Sequence, residues 1–132
     1  MREIKFRAYD EESKKMYQIT DINFSDYVAN GVCYGDWKDF SINNLLQYTG
    51  LKDKNDVEIY EGDICSFVIF DYLDNDTAYT SSVIFKYGSF GFIIKNHQRE
   101  ECFYELSYIL FQDDEVQVLG NIYENPELLN KI

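Results

Sequence analysis

Few residues in this chain have the type and spacing to do chemistry. The one histidine, His97, lies in KNHQREE. Glu100 or Glu101 could orient it as a general base. A lone imidazole builds no multi-histidine metal site, and the segment reads as a solvated turn. Cys33, Cys65 and Cys102 are odd in number and form no CxxC pair. Cys65 sits in DICSFVIF and Cys102 in ECFYEL, where apolar or acidic neighbours do nothing to lower a thiol pKa. They read as reduced thiols of a cytoplasmic protein. Asp71, Asp74 and Asp76 fall close together in DYLDNDTAYTS, and clustered carboxylates suit Ca²⁺ or Mg²⁺. A calcium loop counted from Asp71 would need Gly at its sixth position and Glu at its twelfth; Asp76 and Ser82 stand there. A solvated acidic turn is the simpler reading. GxSxG, P-loop and GxGxxG patterns are absent. The residues therefore predict no enzyme, no metal and no cofactor.

The elements that would position these groups are short strands. EIKFRAY alternates, with Ile4, Phe6 and Ala8 on one face, and MYQITDINF follows the polar turn DEESKK. Residues 3–24 read as an antiparallel hairpin or meander. Residues 25–40 carry Asn-Gly and Tyr-Gly-Asp turn signals, and predict a loop and one short strand. DFSINNLLQ suits one helical turn with Ser41 or Asp39 as its N-cap. In QYTGLKDKNDVEIYEGDI, two apolar runs flank a tip at Lys52, Asp53, Lys54, Asn55 and Asp56. Gly62 is expected to supply a positive φ. DICSFVIF is apolar on both faces and predicts a strand covered on both sides. YTSSVIFKY and FGFIIKN bracket a tight turn at Gly88-Ser89. ECFYELSYILF fits a strand or a helical turn. EVQVLGNIY alternates again, and Asn125 reads as the N-cap of a last short turn whose first helical position is Pro126. The sum is a mainly β protein, β with minor α, in which regular strand spacing favours a small barrel or roll. The N-terminal hairpin or meander region covers residues 1–60 and the barrel or roll 61–132, the two also being compatible with one continuous domain.

Composition bounds the partners. The chain has 132 residues, enough for one core without staples. Its formal net charge is −12. Residues 1–40 hold 6 Lys/Arg against 8 Asp/Glu; residues 41–132 hold 6 against 16. Such a balance opposes direct nucleic-acid binding and contact with an anionic membrane. No run approaches the length of a membrane span, and MREIKFRAYDEE has no apolar leader core. Aromatics make up 17%, with 12 Tyr and 10 Phe. Tyrosine suits strands and also interfaces.

Three segments carry a family likeness: REIKFRAYDEESKKM, LLQYTGLKDKNDVEIYEGDI and VLGNIYENPELL. On these motifs the chain resembles the YopX family of phage and prophage proteins from Gram-positive bacteria. The resemblance implies an SH3-like barrel or roll in the C-terminal half. It implies no activity, cofactor or catalytic residue. Asn55-Asp56 stands where the family commonly has Asn-Gly, a pair suited to a type I′ turn, and Tyr9 stands where Trp is common.

The expected function is a non-catalytic binding or assembly protein of phage or prophage origin. It would dock on a host or phage protein through the tip Lys52, Asp53, Lys54, Asn55 and Asp56, and form a homo-oligomer. An alternative is an acidic DNA mimic whose phosphate-like surface is Asp71, Asp74, Asp76, Asp113, Asp114 and Glu115. A third is a metal-dependent hydrolase at the acidic turn.

Overall fold

The computed structural model describes residues 3–70, 76–96, 98–112 and 115–130. The chain divides into two compact units, Met1–Tyr48 and Thr49–Ile132. The sequence suggests a boundary after Tyr60. The structure divides earlier because the hairpin preceding Tyr60 buries Ile59 in the second unit's core.

The first unit contains β1 (Phe6–Asp10), β2 (Lys15–Asn23), β3 (Val28–Cys33) and β4 (Asp36–Ser41). A 3-10 turn over Ile42–Asn44 is capped by Ser41, whose hydroxyl accepts from Asn43 N. Then comes β5 (Leu46–Lys52), which begins in this unit and continues past its end. The antiparallel order is β4-β3-β2-β1-β5. Residues 25–40 thus hold two strands rather than one. A type I′ turn at Tyr34-Gly35, with φ of 50° and 86°, lets β3 fold back on β4 at once. The alternation of β1 places Ala8 in a small core with Tyr17 and Phe40. Those two rings meet edge to face at 5.4 Å. Gly31 makes room for them: a Cβ there would lie 3.0 Å from Tyr17 Cβ and 3.1 Å from the Phe40 ring.

The second unit holds the end of β5 with β6 (Glu58–Tyr60), then β7 (Asp63–Ile69), β8 (Thr77–Ser82), β9 (Ile84–Lys86), β10 (Ser89–Lys95) and β11 (Glu101–Glu105). Helix α1 (Leu106–Gln112), β12 (Gln117–Asn121) and a 3-10 turn at Pro126–Asn130 complete it. ECFYELSYILF is therefore both things its pattern allowed, a strand running directly into a helix. Two three-stranded antiparallel sheets form, β12-β7-β8 and β11-β10-β9. Their core contains Ile59, Cys65, Phe67, Val83, Phe92, Ile94, Leu106, Ile109 and Val116. Phe67 and Phe92 stack at 4.3 Å. As DICSFVIF predicted, the first half of β7 is buried on both faces. The mainly β class read from the sequence is the class observed.

YTSSVIFKY changes partner at Val83: its N–H still donates to Asp63 O and its carbonyl accepts from Gly62 N on the β7 side, whereas Ile84 pairs with Gly91 of β10. Gly62 has φ +88°, as its turn demanded. The β9–β10 turn centres on Tyr87-Gly88, one residue before the expected Gly88-Ser89, with φ of 53° and 78°.

Candidate docking surfaces

Several Asp and Asn side chains hold turns. At Asp53, Oδ1 accepts from Asn55 N at 2.8 Å and Val57 N at 2.9 Å. Its Oδ2 accepts from Val118 N at 2.8 Å. Asp53 N donates to Val57 O, and Asp56 N donates to Asp53 O. Only Asp56 of this loop has a positive φ, 64°. The tip is thus a type I turn closed by a left-handed residue, not the type I′ turn that Asn-Gly suggests. That left-handed position explains the family's usual glycine.

Asn96 repeats the device. Its N–H donates to Glu100 O, and its Oδ1 accepts from Gln98 N and Glu100 N. Arg99, with φ 63°, takes the left-handed place. Asn121 accepts from Tyr123 N and Glu124 N and is buried. Asp63, also buried, accepts from Tyr60 N at 2.8 Å. Asn125 was expected to cap the last turn; its Oδ1 instead turns back to accept from Asn121 N. That carboxamide packs against Gly120, where a Cβ would collide with it.

Asp10 opens the β1–β2 turn. Its Oδ2 accepts from the Ser13 hydroxyl at 2.6 Å and its Oδ1 from Lys38 Nζ at 2.7 Å. The Lys38 hydrogen bond, followed by that of Ser13, lowers the Asp10 pKa to about 2. The same bond raises the pKa of Lys38.

The five residues of the expected docking tip therefore separate. Asp53 is only 7% exposed and is structural. Lys52, Lys54, Asn55 and Asp56 are exposed. Lys52 pairs with Asp56 at 3.8 Å, and Lys54 with Glu115 at 3.2 Å. Of the six acidic positions, Asp76 and Glu115 are exposed. Asp71, Asp74, Asp113 and Asp114 lie outside the described residues, as does His97. Cys65 is fully buried, and burial, then the Asp63 and Asp53 carboxylates, pushes its thiol pKa far upward. Cys33 and Cys102 are half-buried, and Cys102 Sγ accepts from Asn96 Nδ2 at 3.6 Å. Among the described residues, no three His, Cys, Asp or Glu side chains gather as metal ligands. No helix among them is long and apolar enough to cross a membrane.

What sequence reasoning missed is where the aromatic side chains go. Tyr34 is 98% exposed and Tyr87 80% exposed, each the first central residue of a Tyr-Gly turn. The signal was present: the dipeptide occurs at both tips, in VCYGDW and FKYGSF. Tyr87 still meets Phe103 edge to face at 5.6 Å, with Lys86 Nζ 5.2 Å from its ring. Trp37, near Tyr34 in sequence on β4, is 67% exposed. On α1, Phe111 is 90% exposed.

Fold and surfaces together define a mainly β protein of antiparallel sheets, its turns closed by Asx side chains and two of its hairpin tips presenting tyrosine. The chain belongs to the YopX family: the family model described as YopX protein matches residues 5–130. It is similar to the crystal structure of protein EF1440 from Enterococcus faecalis, at 27% identity and a TM-score of 0.59. That likeness covers 98% of this chain and 99% of the other. No curated protein matches the chain.

Proposed function

We propose that this chain is a non-catalytic docking module of phage or prophage origin. It acts in the bacterial cytoplasm through protein–protein contacts and assembles as a homo-oligomer. The observation that supports this reading is Tyr34. A non-glycine residue at φ 50° is strained by about 1–2 kcal/mol relative to the ordinary backbone regions. Asn or Gly would sit there more easily. The ring is almost wholly in water, so no core contact offsets that strain. A rigid aromatic knob at low conformational cost is what an interface anchor requires. The charge agrees with a protein partner rather than nucleic acid.

The acidic-mimic reading is weaker at Glu115, whose charge Lys54 partly neutralises at 3.2 Å. The test is capture of a partner from host lysate by the tagged full chain, with and without nuclease. A nuclease-resistant protein retained by the chain is expected. Recovery only of nucleic-acid-dependent proteins, or of nothing, contradicts the reading.

A further inference from the structure

The alternation of EIKFRAY continues back to Ile4, yet Ile4 is 64% exposed. The reason is a divergence of two chains within the first unit. Strand β1 pairs with β2 only from Arg7↔Gln18 to Asp10↔Lys15. Before Arg7, the chain follows β5 instead: Phe6 pairs with Gln47, and Lys5 O accepts from Tyr48 N. Strand β2 runs on through Asn23, held on its other side by β3. Among the described residues, no strand pairs with Ile19–Asn23 on the β1 side. Between the diverging segments lies an open cleft of about 270 Å³. Ile4, Phe6, Ile19 and Ile22 line it, together with Thr20 and Asp21.

We infer that this cleft accepts an extended segment of a partner protein, added as a strand to the free edge of β2. A strand edge offers main-chain donors and acceptors, and flanking apolar pockets select alternate side chains. The charge specifies the segment further. Lys5 is neutralised by Glu3 at 3.0 Å. Asp21 accepts from the neutral donors Thr20 Oγ1 and Asn30 Nδ2, each at 2.8 Å, and among the described residues no cation pairs with it. The occupant is therefore a segment of alternating apolar residues with a Lys or Arg placed to meet Asp21.

The inference rests on the docking reading and adds to Tyr34 a second place where a partner would bind. The probe is a displayed library of random peptides, panned on the full chain. Binders are expected to alternate apolar residues and to carry a basic one. They should protect amides within Ile19–Asn23 from hydrogen exchange. Ile4→Lys, at an exposed position that leaves the fold intact, should weaken them about tenfold or more by replacing an apolar wall with a cation. A thermal melt checks that the variant is folded. No selected peptide, binders that protect other amides, or binders indifferent to Ile4→Lys would overturn the inference. So would protection of the same amides by self-association at rising protein concentration, since a second copy would then fill the cleft. A lysate partner that binds the Ile4→Lys chain equally well would leave the docking reading standing and remove only this one.

Discussion

At Asp53 both carboxylate oxygens accept main-chain N–H groups, Oδ1 from two and Oδ2 from one. At Asn96 the oxygen accepts twice, while the amide nitrogen donates to Cys102 Sγ. The two loops share one backbone design and differ in what the second side-chain atom meets. Asp53→Asn would point an N–H₂ at Val118 N, donor against donor. It should cost nearly as much as Asp53→Ala, about 2–4 kcal/mol for the lost charge-assisted bonds. Chemical denaturation of both variants checks this, and Asn96→Asp should be markedly milder. Asp10 gives a pH-dependent counterpart. Its folded pKa of about 2 lies below the ordinary 3.8, so its carboxylate stabilises the fold fully above the ordinary value. That contribution falls away as pH drops through about 2. Asp10→Asn should therefore flatten part of the acid limb between those values in a urea-midpoint series, lowering stability at neutral pH but not at the acid end.

At the scale of elements, the turns were legible and the pairings less so. Gly62, the Ser41 cap, the start of the last turn at Pro126 and the doubly buried β7 follow from local chemistry that needs no partner strand. Residues 25–41 form two strands where the local pattern shows one, because β4, DWKDFS, alternates poorly and is held by its register on β3. The change of partner at Val83, from the main chain of Gly62 and Asp63 to β10, is set by strands it meets only in the fold, and no local signal marks it. Gly91 in β10 makes the strongest prediction at this scale. A Cβ there would collide with the Tyr104 carbonyl and lie 2.7 Å from the Phe103 ring. Main chain cannot yield as a side chain does, so Gly91→Ala should part β10 from β11 at a cost of about 3 kcal/mol. A thermal melt, with amide exchange over Glu101–Glu105, reads that loss.

Across the whole molecule, function was harder to read than fold because the candidate tip mixes exposed and structural residues. A sequence shows that Lys52–Asp56 is polar and turn-like; it does not show that Asp53 reaches Val118 across 65 positions. Nor does composition reveal that Tyr34 faces water, since most tyrosines of a β protein pack against neighbours, as Tyr17 and Tyr48 do. The docking account turns on Tyr34, and Tyr34→Asn separates its two consequences. The substitution suits the left-handed turn position, so it should raise stability by up to about 1 kcal/mol. The measurement to make is the amount of partner captured from lysate by wild-type and Tyr34→Asn chains, quantified by mass spectrometry beside their melting curves. The account predicts an equally or more stable variant that captures several-fold less partner. A variant that is stabilised and captures as much as the wild type would show that the exposed ring binds nothing, and would contradict it.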